Sequence, residues 1–263
     1  MGDLYAMVSA GGSPGLTTTA LALALTWPSP VVLAECDPSG GDILAGLLAG
    51  NLPAGRGLME YAMEAGRSSP AADASSVPPL VSLDEDRTRM LLPGLTDPRQ
   101  AAGLVTAWPA IAASLTAQAA DVIADCGRLD AGAGQPLAVL SDARTVVIVL
   151  RPTLRQVWLA RPRVELLGQL LGSSARLALL LTGPGTHPAR EVASALGLPL
   201  VAALPADART AAVLSDGLGD RGHLARGSLI WAAGAAGEAL RNWHAAPSWQ
   251  PLGERSRRVL TSG

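Results

Sequence analysis

The sequence contains no lysine, and all of its 20 basic residues are arginine. It also lacks phenylalanine, although 49% of its residues are hydrophobic and 16% are charged, which is ordinary for a globular protein. Its 22 acidic residues slightly outnumber the arginines, which gives a net charge of −2. This charge balance gives no strong nucleic-acid signal, and it disfavours a protein that binds DNA through charge alone.

Long apolar runs and secretory features are missing as well. The longest apolar runs, such as 176–182 and 198–204, are far shorter than the roughly 20 residues that cross a bilayer. The first 12 residues carry no basic residue ahead of their apolar run, unlike a secretory signal. We therefore expect a cytoplasmic protein without a transmembrane segment. Its two cysteines, Cys36 and Cys126, match no metal-ligand spacing and are expected to be reduced, buried thiols.

The chain alternates between short β-rich runs and longer runs that are rich in Ala and Leu. This alternation predicts an α/β fold with a doubly wound, mostly parallel sheet and helices on both faces. The predicted strands are 4–10, 31–35, 90–93, 121–125, 145–150, 176–181 and 200–204. The predicted helices are 17–26, 98–119, 153–171, 188–196, 208–214 and 228–244. In the last of these helices, Leu229, Ala233, Ala236, Leu240 and Trp243 share one face, which predicts that this helix docks on the body.

We expect a single domain over residues 1–246, followed by a loose C-terminal tail over residues 247–263. Residues 51–80 are rich in Gly, Ser, Pro and Ala, and are expected to form an irregular excursion with a short helix at 58–65. The arginines at 255, 257 and 258 form a small basic cluster in the tail. Such a cluster is typical of a solvated terminus.

A glycine-rich turn, A-G-G-S-P-G-L-T-T-T over residues 10–19, lies between the first predicted strand and the first predicted helix. Such a turn points backbone N–H groups and a helix N-terminus at one place, which is how a P-loop binds phosphates. The dinucleotide fingerprint G-x-G-x-x-G is not satisfied at any register of Gly11, Gly12 and Gly15. A P-loop fits this segment better.

This segment resembles the deviant Walker A loop of the ParA/MinD family of P-loop ATPases, which reads roughly x-K-G-G-x-G-K-T-T. The residues that fall on the glycine-rich turn and the paired hydroxyls of the family are Gly12, Ser13, Gly15, Thr17 and Thr18. Gly11 stands at the signature lysine of the family, and Leu16 stands at its Walker lysine. Both lysines are missing.

Three further segments resemble this family, in the order that the family has. Residues 31–41 resemble its D-x-D-P-x-G motif, with Glu35 at the position that orients the attacking water and Asp37 at the second aspartate. Residues 121–127 resemble the Walker B strand and end on Asp125. Residues 198–207 resemble the late strand whose turn flanks the base, with Pro205 and Asp207 in that turn.

The resemblance implies a site for ATP and Mg²⁺. The residues that would bind the phosphates are Gly12, Ser13, Gly15, Leu16, Thr17 and Thr18. Thr17, Asp37 and Asp125 would hold Mg²⁺ directly or through water, and Glu35 would orient water if the protein is active. Taken singly, each motif has a structural alternative. Glu35 and Asp37 fit a solvated turn or a helix cap, Asp125 fits a strand-end turn, and the threonines fit an N-capping cluster.

The absence of the two lysines should affect nucleotide hydrolysis more strongly than nucleotide binding. Because the chain has no lysine, neither another segment nor an identical partner subunit can supply one, and only an arginine such as Arg128 or Arg151 is available as a substitute. Pro14 also removes one N–H group from the loop. Loss of one charge-assisted contact costs about 1.5 to 3 kcal/mol, or about 10- to 100-fold in affinity. Weak binding survives such a loss, whereas fast phosphoryl transfer, which depends on positioning and charge, does not.

Three hypotheses for the function follow. The first is a pseudo-ATPase that acts as a dimeric positioning scaffold for a protein machine, similar to the TadZ/CpaE branch of the family. The second is a slow ATPase switch in chromosome partitioning or division-site placement, in which Glu35, Asp125 and an arginine compensate for the lysines. The third is a protein-interaction scaffold that binds no nucleotide. The partner protein is not predicted, a homodimer is expected, and membrane contact would require an adaptor.

Overall fold

The computed structural model describes residues 1–12, 14–50, 57–67, 80–130, 134–172, 176–218 and 221–243. Its centre is an eight-stranded sheet in the order β3-β4-β2-β5-β1-β6-β7-β8. The strands are β1 (Leu4–Ser9), β2 (Val31–Glu35), β3 (Val81–Ser82), β4 (Arg89–Leu92), β5 (Asp121–Arg128), β6 (Thr145–Leu150), β7 (Leu177–Thr182) and β8 (Leu200–Leu204). All neighbouring strands are parallel except β3 and β4. The predicted α/β, mostly parallel sheet is confirmed.

The strands were predictable because most of them are buried on both faces. Every residue of β1, β2, β6 and β7 is buried. Strands covered on both sides are near-continuous apolar runs without alternation, which is the pattern that the sequence shows. Cys36 and Cys126 also lie in this interior, as free thiols that form no disulfide.

Nine α-helices are found in the described part of the chain. They are α1 (Leu16–Thr26), α2 (Leu58–Arg67), α3 (Ala101–Leu104), α4 (Trp108–Thr116), α5 (Leu137–Asp142), α6 (Leu154–Leu171), α7 (Ala189–Leu196), α8 (Ala208–Asp216) and α9 (Ser228–Arg241). Helices α1, α8 and α9 bury apolar side chains against one face of the sheet. Helices α2, α4, α5, α6 and α7 cover the other face. The sheet is therefore doubly wound, as predicted.

The single predicted helix over residues 98–119 is wrong. The segment forms a 3₁₀ turn at Pro98–Gln100, the short helix α3 and the separate helix α4. Pro109 lies in the first turn of α4. A proline there has no N–H to bond backwards and its ring excludes the preceding turn, so a new helix begins instead of the old one continuing.

Other differences from the predicted elements are small. Helix α5 and strand β3 were not predicted, because six and two residues are too few to show a period. The short helix expected at 58–65 is present as α2. In α9 the predicted apolar face is buried except for Trp243, which is half-buried and lies beyond the end of the helix at Arg241. The tail over residues 247–263 lies outside the described residues. Within those residues, no helix combines the length and apolar character needed to cross a membrane.

Candidate nucleotide site

The glycine-rich turn lies at the carboxyl edge of the sheet, between β1 and α1. Gly15 precedes α1 with a φ of 85°, a left-handed conformation that glycine adopts without strain. Because Gly15 has no side chain, it provides no cap for the first N–H groups of α1. These groups have no acceptor within the helix either, so they are available to an anion. Ser13 lies outside the described residues.

Two side chains from neighbouring elements hold this turn. The hydroxyl of Thr182, at the end of β7, donates a buried hydrogen bond of 2.7 Å to the carbonyl of Pro14. The side-chain amide of Gln156, in α6, donates to the carbonyl of Gly12 at 3.4 Å. The turn is therefore fixed from the β6–β7 side of the sheet as well as by its own strand and helix.

Asp125 lies next to this turn, on the strand that neighbours β1. Its side chain is 2% exposed and accepts hydrogen bonds from the side chain of Thr17 and from the N–H of Gly127, the latter at 3.0 Å. Burial raises the pKa of Asp125 to about 7, and the two hydrogen bonds lower it only in part. A nearby cation would favour its charged form. This contact joins a hydroxyl of α1 to an aspartate within β5, three residues before that strand ends.

Asp37 is positioned by close packing against β5. A Cβ atom placed on Gly127 would lie 2.1 Å from a carboxylate oxygen of Asp37, so only glycine permits this approach. Asp37 also accepts a 2.7 Å hydrogen bond from the N–H of Ser39. Both carboxylates therefore lie beside Gly127, with Asp37 just past the end of β2 and Asp125 on the neighbouring strand β5.

Glu35 pairs with Asp125 between β2 and β5, and its carboxylate is held by backbone N–H groups. One carboxylate oxygen accepts from the N–H groups of Asp42 and Ile43 at 2.8 and 2.9 Å, and the other accepts from the N–H of Gly94 at 3.0 Å. The side chain is 2% exposed. Burial raises its pKa, and the three N–H groups lower it only in part. Glu35 thus fastens the segment after β2 to the segment after β4.

A cavity of about 590 Å³ opens over the turn and the N-terminus of α1. This volume lies within the usual range of about 300 to 1,000 Å³ for ligand sites. The sequence-predicted site residues that line it are Gly12, Gly15, Leu16, Thr17, Thr18, Asp37, Pro205 and Asp207. Glu35 and Asp125 are not in its wall, and Asp125 lies behind Thr17.

The late turn expected to flank a base also contributes to the wall, but Asp207 has a second role. Its carboxylate accepts hydrogen bonds from the N–H and hydroxyl of Thr210 at 3.0 and 2.7 Å, which caps α8. It also accepts from the hydroxyl of Ser228 and the N–H of Leu229, at the start of α9. The sequence pointed to this residue through the P-x-D pattern, but it gave no sign of the contact with α9.

Leu16 is 6% exposed and packs into the core beneath α1 while one side of it reaches the cavity. Gly11 is buried under α6, where an added Cβ would lie 3.4 Å from a methyl group of Leu159. Both positions at which the resembled family has lysine are therefore used for apolar packing.

The described residues contain no cluster of three or more His, Cys, Asp or Glu side chains that could hold a metal ion. Two carboxylates and a hydroxyl still suit Mg²⁺, which keeps several water ligands and is usually bound together with substrate phosphates. The residues present therefore fit a magnesium nucleotide better than a metal ion alone.

Comparisons with known proteins support the fold. No protein-family model matches the chain, and no curated protein matches its sequence. Among solved structures, a ParA family ATPase from Chlorobium tepidum is 18% identical with a TM-score of 0.68, over 91% of this chain and 98% of that one. The septum site-determining protein MinD of Pyrococcus horikoshii, solved with Mg-ADP, is 17% identical with a TM-score of 0.69, over 91% and 96%. A chain of the MinC:MinD complex of Aquifex aeolicus is 13% identical with a TM-score of 0.67, over 95% and 99%.

These likenesses show that the chain has the fold of ParA and MinD ATPases. At such low identity they show the fold alone.

Proposed function

We propose that this protein binds a magnesium nucleotide weakly, hydrolyses it very slowly or not at all, and acts as a dimeric scaffold that positions a protein machine. The observation that carries the proposal is the cavity over a helix N-terminus that receives no side-chain cap from its N-cap residue Gly15, with Thr17 hydrogen-bonded to Asp125 and no lysine in the chain. The first two features favour binding, and the last opposes catalysis.

The binding half of the proposal rests on groups that are already oriented. The free N–H groups at the start of α1 would bind phosphate oxygens, and Thr17, Asp37 and Asp125 would hold Mg²⁺ directly or through water. The turn at Pro205 and Asp207 would lie beside the base. Mg²⁺ would neutralise phosphate charge, and the similar MinD of Pyrococcus horikoshii was solved with Mg-ADP.

The case against hydrolysis has two parts. No lysine is available to stabilise charge on a transferred phosphoryl group. In addition, Glu35 stands at the position expected to orient water, but both of its carboxylate oxygens already accept hydrogen bonds from backbone N–H groups. A carboxylate that leaves these bonds to bind water would leave three backbone donors unpaired, and the two that are buried, those of Ile43 and Gly94, would each cost about 1 to 3 kcal/mol.

The scaffold half of the proposal rests on the fold and on Gly11. ParA/MinD-like proteins pair across the face that carries the nucleotide, and here that face has no lysine that would make pairing depend on phosphate. One of the similar structures is a MinC:MinD complex, so a chain of this fold assembles there with a second protein. We propose the same kind of role here, with a partner of unassigned identity.

Calorimetric titration of Mg-ATP, together with phosphate release by the pure protein, tests the proposal. We expect a dissociation constant between about micromolar and millimolar and phosphate release equal to that of a blank. Fast Mg²⁺-dependent release would favour the ATPase switch, and an absence of binding would favour a scaffold without nucleotide. Leu16→Lys should tighten binding, because position 16 reaches the cavity. An unchanged or weaker affinity would mean that the loop around Pro14 closes the phosphate site.

A further inference from the structure

Charged side chains of both signs line the cavity over the glycine-rich turn. The acidic ones are Asp37, Asp42 and Asp207, and the basic ones are Arg128 and Arg151. A polyphosphate would bring several more negative charges to this wall. Binding therefore requires cationic groups, and the chain has only arginine to supply them.

The two arginines differ in what they already bind. Arg128 forms an ion pair with Asp130 at 3.3 Å. Arg151 is exposed, and no carboxylate lies within ion-pair distance of it in the described ranges. Arg151 thus has a guanidinium group that is available to an incoming anion.

The backbone of Arg151 is held against the glycine-rich turn. Strands β1 and β6 are adjacent and in register at Ser9 and Val149, so the residues two positions further along are Gly11 and Arg151. The N–H of Arg151 donates to the side-chain oxygen of Gln156 at 3.1 Å. The nitrogen of the same amide group donates to the carbonyl of Gly12 at 3.4 Å. One side chain therefore ties the position of Arg151 to that of the turn.

We propose that Arg151 binds the terminal phosphates of the nucleotide and supplies the positive charge that the two absent lysines would have given. This inference rests on the proposed nucleotide binding and adds to it a phosphate-binding residue that directly follows β6, outside the glycine-rich turn. Gln156 acts as a positioning residue, because it holds Arg151 and the turn together without reaching the phosphates itself.

An arginine at this place suits binding. A planar guanidinium can donate two parallel hydrogen bonds to phosphate oxygens, a geometry that the ammonium group of lysine does not offer. Arg151 follows β6 and lies outside the glycine-rich turn. We therefore expect it to contribute to the affinity only for nucleotides that carry a β or γ phosphate. Binding of adenosine should therefore be independent of Arg151.

Calorimetric titration of ATP, ADP and adenosine into Arg151→Ala and Arg151→Gln tests the inference. We expect the affinity for ATP and ADP to fall by about 10- to 100-fold and the affinity for adenosine to stay unchanged. The matched control is Arg155→Ala, which removes an exposed arginine of α6 that does not line the cavity. Thermal unfolding of each variant checks that the fold is kept.

The outcomes separate this inference from the proposed function. Binding of ATP by the wild type and by both Arg151 variants with equal affinity would overturn the role of Arg151 and leave nucleotide binding in place. An equal loss in Arg155→Ala would also overturn it, because the effect would then be one of general surface charge. If the wild type binds none of the three compounds, the proposed nucleotide binding fails and the inference fails with it.

Discussion

Single carboxylates hold distant segments of this protein together, and Glu35 shows this most clearly. Its three backbone donors lie 7, 8 and 59 residues further along the chain. The close approach is possible because Gly41 and Gly94 lack side chains, and a Cβ on either would come within 3.0 Å of Glu35. Glu35 therefore determines where the segment at Asp42 meets the cavity.

Replacement of Glu35 by glutamine should lower the free energy of unfolding by about 1 to 3 kcal/mol. Glutamine keeps one acceptor oxygen, but its amide N–H₂ would face a backbone N–H donor, so at least one buried donor loses its partner. Urea unfolding measures the change, and Glu238→Gln, at an exposed position of α9, is the control. Unchanged stability together with altered phosphate release would instead support the water-orienting role.

Asp207 gives a prediction about pH. The backbone N–H of Thr210, followed by the hydroxyl of Thr210 and the groups at the start of α9, lowers the pKa of Asp207 to about 2. The ordinary pKa of the group is 3.8, so its charge stabilises the folded state fully above about pH 4 and loses this effect as the pH falls towards 2. Asp207→Asn keeps an acceptor but removes the charge.

We therefore expect Asp207→Asn to be less stable than the wild type by about 1 kcal/mol at neutral pH, with the difference shrinking towards about pH 2 to 3. Denaturant unfolding of both proteins across this range measures it. A difference that stays constant with pH would show that the charge of Asp207 contributes nothing to stability.

The sequence predicted some of these residues and not others. Asp37, Asp125, Pro205 and Asp207 were singled out because each follows or ends a predicted strand in a recognisable order of motifs. The bonds of Glu35 were not predicted, since they depend on segments that only the folded chain brings together. Asp121 was also missed as a structural centre. It binds the N–H of Asp3, the indole of Trp27, the hydroxyl of Ser29 and the guanidinium of Arg241.

Two buried threonines at strand ends differ in their hydrogen bonding, and only one of them supports the glycine-rich turn. Thr182 ends β7 and bonds the carbonyl of Pro14, whereas Thr145 begins β6 and its buried hydroxyl has no hydrogen-bond partner in the described part of the protein. A substitution that removes the hydroxyl should therefore break a hydrogen bond at Thr182 and none at Thr145.

Thr182→Val should therefore lower the free energy of unfolding by about 1 to 3 kcal/mol, because it leaves the carbonyl of Pro14 unpaired. It should also weaken nucleotide binding, since the turn loses one of its supports. Thr145→Val is the matched control and should be neutral or stabilising. The two variants are compared by urea unfolding, and equal effects would contradict a supporting role for the Thr182 hydroxyl.

Elements were predictable from the sequence to the extent that local pattern determines them. The fully buried strands were predicted to within a few residues because their apolar runs have no other stable place in a folded chain. The prediction of a single helix over residues 98–119 was wrong because an apolar pattern does not reveal that a new helix begins next to Pro109. The two-residue strand β3 depends on its partner β4 and has no signal of its own.

Across the whole molecule, the absence of lysine bears on assembly. A buried, unpaired lysine would oppose pairing of two copies when no phosphate is present. Gly11 carries no such charge and packs under α6. At position 11, pairing through the face of the glycine-rich turn therefore meets no buried lysine that would make it wait for nucleotide.

We expect a homodimer in both the presence and the absence of Mg-ATP, as measured by light scattering over a concentration series. Gly12→Glu should give monomers, because position 12 is exposed on the proposed interface and an added side chain meets nothing in its own chain. Gly66→Glu, at an equally open position of α2, is the control and should remain dimeric. A monomer in both conditions, or a dimer only with ATP, would contradict the constitutive scaffold.

The two edges of the sheet also restrict how copies can associate. At one edge, the antiparallel pair formed by β3 covers part of β4 with only two residues. At the other edge, β8 is five residues long and is bounded by Pro199 and Pro205, whose nitrogens carry no hydrogen. Among the described residues, neither edge offers the long row of unpaired backbone groups on which a foreign strand adds and fibres grow. The short edge strands thus make this sheet of buried apolar strands a poor template for aggregation by strand addition.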